Sequence, residues 1–164
     1  MDAFLLKILP LAFFHHSPRQ RKFTGTVTLW SPSSSKYLAS ILTSRTMVKS
    51  ISVTSCGNYF AAGSVDRVVS IWDVRMMKEL RRFLASTTPA HLTFSQRNKL
   101  AVGLGAVCDV FEDNVVQSGA DVQIGDPYMT HRAPAGISGM QFCPYEDVLG
   151  VSHGKGSVCQ SRFC

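Results

Sequence analysis

No Cys-x-x-Cys pair occurs in these 164 residues, and no cysteine stands at zinc-finger spacing from a histidine. The five cysteines (Cys56, Cys108, Cys143, Cys159 and Cys164) are odd in number, so they do not make a closed disulfide framework. They read as single thiols of a reducing compartment. Long apolar runs are also missing. The opening "MDAFLLKILPLAFFHH" is too short to span a bilayer, is interrupted by Lys7 and is followed by no small-x-small cleavage site. It reads as a leader joined to a domain, and no membrane partner is expected. Charged residues are few, at 17%, while 45% are hydrophobic, which excludes the composition of a disordered chain. The net charge is +6, which is compatible with an RNA or an acidic partner. Lys7, Arg19, Arg21 and Lys22 against Asp2 place +3 of it within residues 1–22.

The signatures of catalysis are equally thin. Gly103-Leu104-Gly105 has no third glycine and no following helix, as a nucleotide loop would need. "HGKGS" at His153–Ser157 lacks phosphate-loop spacing and reads as a hairpin turn. His15 and His16 lie in the leader, and His91, His131 and His153 flank strands without forming a triad by spacing. No catalytic, cofactor or metal residue is assigned, and neither an enzyme nor a small-molecule substrate is expected.

What the sequence does contain is a repeat. "GTVTLWSP" at Gly25–Pro32 returns as "RVVSIWDV", with Trp72 forty-two residues after Trp30. Val27 matches Val69 and Leu29 matches Ile71, two residues apart as one face of a strand requires. "AVCDVF" is the third copy, with Phe111 in the tryptophan's place. Before each copy comes an alternating strand, a polar turn and a small-residue strand. The pairs are Ile51/Val53 and Phe60–Gly63, Leu92/Phe94 and Leu100–Gly103, and Met140/Phe142 and Val148–Val151. Their turns fall at Cys56–Asn58, Gln96–Asn98 and Pro144–Glu146. Val53 to Phe94 is 41 residues and Phe94 to Phe142 is 48. Strand-only repeats near this length with a Trp-Asp ending, here Trp72-Asp73, mark a four-stranded propeller blade. In such a blade the tryptophan fills the contact with the neighbour, and Asp66, in the turn before the Trp72 strand, braces that strand. The Gly-His pair that usually completes this network is missing.

The expectation is therefore an all-β fold, a partial WD40 β-propeller of about three blades with four-stranded antiparallel sheets in an incomplete ring. Residues 1–22 form a non-homologous leader, expected to be poorly ordered. Residues 23–156 hold the blades, at 23–43, 44–84, 88–131 and from 137 to the end, and 157–164 are a divergent tail. Outer strands are expected at Tyr37–Thr43, Glu79–Leu84 and Tyr128–His131, with a surface excursion at Glu112–Gly125 and a connecting loop at Arg132–Ser138. The first cycle enters at its third strand and the fourth ends without a tryptophan, so the chain reads as a fragment or shortened product. Lys49, Arg67, Arg75, Arg97 and Arg132 lie at or near strand ends, where they are either solvated loop charges or contacts to RNA phosphates or a protein partner.

Several strings are more specific than a generic repeat. "GTVTLWSP", "HLTFSQR", "PYMTHR" and "MQFCPYEDVLGVSHGKG" resemble the U3-small-nucleolar-RNA-associated WD-repeat proteins of the small-subunit processome, the WD-repeat-forty-six or Utp-seven family. The likeness runs over roughly residues 25 to 156 and is most specific from Pro127 to Gly156. It implies a nucleolar, non-catalytic scaffold in 18S rRNA maturation and small-subunit biogenesis, with processome proteins, U3 RNA and precursor rRNA as partners. The alternatives are a generic WD40 protein–protein module, a secreted or membrane-associated product carried by the leader, or a truncated product without function.

Overall fold

The computed structural model describes residues 25–31, 36–112, 126–144 and 148–160, with side chains described up to Lys155. The leader at 1–22, the excursion at 113–125, most of the turn at 144–146 and the last four residues of the tail lie outside that set. Every regular element among the described residues is a strand.

Two strands, β1 (Gly25–Trp30) and β2 (Tyr37–Ser44), pair antiparallel as a first sheet. The second sheet runs β3 (Val48–Val53), β4 (Tyr59–Ser64), β5 (Val68–Asp73) and β6 (Lys78–Leu84), in sequence order from one edge to the other. The third repeats it with β7 (His91–Phe94), β8 (Leu100–Leu104), β9 (Val107–Phe111) and β10 (Met129–Arg132). The fourth holds β11 (Ile137–Phe142), β12 (Leu149–His153) and β13 (Gly156–Gln160). Arg132, Ile137 and Ser138, expected in a connecting loop, are strand residues: β10 ends at Arg132 and β11 starts at Ile137. The reason is pairing, since Arg132 lies opposite Val107 and Ile137 opposite His153. β13 crosses residue 156, pairing Gly156–Gln160 with β12.

Side-chain parity decides how the sheets stack. Along β5, Val69 and Ile71 point to one face and Ser70 and Trp72 to the other, because successive side chains alternate. The first face packs with Leu92, Leu100, Val102 and Phe111 of the third sheet. The second packs with Val27, Leu29 and Ile41 of the first. The third sheet turns Ala101, Cys108 and Val110 toward Ile137, Phe142, Leu149 and Val151 of the fourth. Three cores thus separate four sheets. Strands β4 and β8 are covered on both faces and are buried almost throughout. That is why they read as continuous small or apolar runs rather than alternating ones. The outer strand β10 alternates between half-buried and exposed positions, while β6 mixes exposed and half-buried residues with the buried Arg81. The architecture is all-β, a partial WD40 propeller.

Candidate interaction surface

The repeat positions come first, because they fix the ends of the strands. Trp72 donates its indole N–H to Ser70 Oγ at 3.0 Å, two residues back in its own strand. Trp30 repeats this with Thr28 Oγ1, also at 3.0 Å. Phe111 has no N–H to place, and the residue two back is Asp109, which accepts from Thr130 Oγ1 of β10 at 2.8 Å. Trp72 is buried and stacks on Phe60, with ring centroids 6.3 Å apart. Phe111 meets Phe83 of the second sheet at 5.0 Å. Trp30 is half-buried and edge-on to Tyr37 at 6.1 Å.

Asp66 sits in the turn between β4 and β5. It accepts from Ser64 Oγ, from the Val68 N–H at 3.3 Å and from Ser44 Oγ of the first sheet at 3.3 Å. Burial raises its pKa, but hydrogen bonds from Ser64, Val68, Thr46 and Ser44 outweigh that and hold the carboxyl below its ordinary value. The carboxylate therefore ties β5 to its own turn and to the first sheet, while the Trp72 indole is satisfied by Ser70. Asp73 closes the next turn, accepting the Arg75 and Met76 N–H groups at 2.7 and 3.0 Å.

Strand register separates the five candidate cations. Val48 lies opposite Ser64, and Val68 opposite Leu84, so the start of β3, the β4–β5 turn and the end of β6 share one end of the second sheet. In the third sheet Val107 pairs with both Leu104 and Arg132, and in the fourth His153 pairs with Gly156. Hydrogen bonds join these ends from sheet to sheet. They run from Ser44 Oγ to Asp66, from Thr88 Oγ1 to the Val65 carbonyl at 3.2 Å and from the Ile137 N–H to the Gly105 carbonyl at 2.7 Å. Lys49, Arg67 and Arg132 therefore lie on one common rim. Arg75, in the β5–β6 turn, and Arg97, in the β7–β8 turn, lie on the opposite end.

Two more exposed cations join the first rim, Arg45 just after β2 and Lys155 in the β12–β13 turn. Sequence reading passed over both. Lys155 sits in a turn between second and third strands, as Arg67 does, and that shared position was the signal available.

Among the described residues, no comparable catalytic assembly is found. No group of three or more His, Cys, Asp or Glu side chains suited to a metal occurs among the described residues. A cleft of about 490 Å³ opens between β6 and β9, lined by Phe83, Phe111, Ser86, Asp109 and Asp126 among others. Its described polar side chains are the Asp109 and Asp126 carboxylates and the Ser86 hydroxyl, and Asp109 already accepts from Thr130.

Comparison with known proteins places this arrangement. The BING4CT (NUC141) domain family matches residues 127–160, which takes in β10 to β13. Over 133 residues, 80% of the chain, the sequence is 39% identical to WD repeat-containing protein 46 of Mus musculus and to that of Homo sapiens. Over 144 residues it is 33% identical to U3 small nucleolar RNA-associated protein 7 of Saccharomyces cerevisiae. The chain is a partial homologue of these WD-repeat proteins. It spans 21% to 26% of the length of those three relatives. The BING4CT match includes Arg132 and Lys155, so two of the rim cations lie inside the family's own domain.

Proposed function

We propose that the chain is a non-catalytic scaffold of the small-subunit processome type, acting in 18S rRNA maturation and small-subunit ribosome biogenesis in the nucleolus. Processome proteins, U3 RNA and precursor rRNA are its partners, and it uses no cofactor. The observation that carries this reading is the homology to U3 small nucleolar RNA-associated protein 7 and its animal counterparts over 80% of the chain. The geometry supports it. Stacked sheets bury their faces in one another and offer their ends and turns as binding surface, the usual mode of a solenoid or propeller scaffold. The test is to express the tagged chain in cells, image it and measure the RNA that co-purifies with it. Nucleolar concentration with U3 RNA enriched over a tag-only control is the expected result. A diffuse distribution with no enrichment would remove the proposal.

A further inference from the structure

We propose that the rim formed by Arg45, Lys49, Arg67, Arg132 and Lys155 grips RNA along its phosphate backbone, without stacking on bases. This rests on the scaffold reading above and gives one of its RNA contacts a place on the molecule.

The first argument is charge. All five side chains are exposed, and the ion pair found among the described residues, Arg82 with Glu79, lies elsewhere, on β6. The rim's one carboxylate among the described residues is Asp66, already engaged by Ser64, Ser44 and the Val68 N–H. The opposite end is different in kind. There Lys36, Arg75, Lys78, Arg97 and Lys99 are interspersed with Asp73, Glu79, Glu112 and Asp126. A polyanion meets a nearly uniform positive field at one end and a mixed one at the other.

The second argument is preorganisation. The backbone that carries these cations is tied down within its sheets and to the links between them. Ser50 Oγ donates to the Pro89 carbonyl at 2.8 Å, and the Val65 N–H to the Met47 carbonyl at 3.0 Å. The Lys155 N–H donates to Nδ1 of the buried His153 at 3.2 Å, which fixes the last turn. Little backbone ordering is left to be lost on binding. Arg67 holds its turn in a fixed backbone conformation. Its φ is 67°, in the left-handed region, whereas the matching turn of the third sheet uses Gly105 at 70°. An arginine there is strained in a way that glycine would not be.

The third argument separates RNA from protein. Protein interfaces draw on buried aromatic anchors. The exposed large apolar side chains at this rim are aliphatic, Val65 and Leu84, while Tyr37 and Tyr128 lie at the far end. With no exposed tyrosine, phenylalanine or tryptophan among the described residues of this rim, phosphates rather than bases are the group it recognises.

The experiment is fluorescence polarisation of the full chain with a labelled single-stranded uridine RNA, across a salt series. Neutralising five phosphate contacts predicts a slope of log affinity on log salt of about −3.5. R45Q/K49Q/R67Q/R132Q/K155Q should weaken binding at least about tenfold and flatten that slope toward zero. R75Q/K78Q, at the other end, should bind within about twofold of the parent, and R45K/R67K/R132K should retain affinity, because a phosphate needs only the charge. Should the fivefold replacement not fold, K49Q/K155Q alone is expected to lose about threefold. A folded rim variant with the parent's affinity would overturn the inference. So would a polyglutamate peptide competing as well as RNA of equal charge, since the rim would then be an acidic-protein site. A chain that joins U3 particles in cells yet binds RNA independently of these residues keeps the scaffold reading and loses this one. A chain that binds RNA through the rim but never joins such particles does the reverse.

Discussion

Asp66 accepts four hydrogen bonds, which outweigh the effect of burial and hold its carboxyl below its ordinary pKa. Its depressed pKa has a definite consequence for stability. Above the ordinary carboxylate range it is charged both folded and unfolded, and the full stabilisation is present. As pH falls through the folded value, the folded state must give up that advantage, so stability declines with acid. Asp66→Asn should therefore lower the melting temperature at neutral pH, by the equivalent of roughly 1 kcal/mol or less given its exposure. The difference from the parent should narrow as pH falls below the ordinary carboxylate range. Thermal melts from pH 2 to 7 check this, and a gap that stays as wide at the acid end would contradict it. Cys108 is the opposite case. Burial, and secondarily the negative charge of Asp109, push its thiol up to about 12. At pH 8 it should resist iodoacetamide while exposed Cys56 and Cys143 react, as read by peptide mass spectrometry.

Within a sheet, the second strand sets the distance to both neighbours. β4 runs Tyr-Phe-Ala-Ala-Gly-Ser because large side chains on both faces would hold the sheets apart. Gly63 shows how tight this is. A Cβ there would lie 2.7 Å from Pro89 Cγ and 2.8 Å from Ser50 Oγ. Pro89 belongs to the link between the second and third sheets, and Ser50 bonds to its carbonyl. Gly63→Ala should cost about 1–3 kcal/mol, seen as a lower urea midpoint with an unchanged slope. A neutral result would mean that the Pro89 segment yields freely. The turns obey a different constraint. Asp73 can close its turn through two backbone N–H groups because the acceptor is its own short side chain, a local bond legible in the sequence.

For the molecule as a whole, stability resides between sheets, since no sheet can bury its own faces. Leu100 is fully buried in the core shared by the second and third sheets. Leu100→Ala should destabilise by about 2–5 kcal/mol. Because stacked repeats are coupled to their nearest neighbours, the loss should appear in both sheets. Amide exchange should accelerate in β4 and β5 as well as in β8 and β9. Acceleration confined to the third sheet would show that the sheets are energetically independent. The same architecture explains how cations distant in sequence come to share a surface. Arg45 and Lys155 are 110 residues apart, yet each follows a strand that ends on the same side of the stack.

The sequence by itself determined the strands, their order and the faces they bury. Alternation at Val27/Leu29 and Val69/Ile71 is a local property of an extended chain, and the turns at Cys56–Asn58 and Gln96–Asn98 carry their own chemistry. Even the substitution of Phe111 for tryptophan was visible, though not that Asp109 would then turn to Thr130. Tertiary structure decided what depends on register between distant strands. It tied Asp66 to Ser44 across a sheet boundary. It split Lys49, Arg67 and Arg132 from Arg75 and Arg97. Composition records how many charges a chain carries. Only the antiparallel path of each strand fixes the end to which a charge is delivered, and electrostatic recognition responds to that placement rather than to the total.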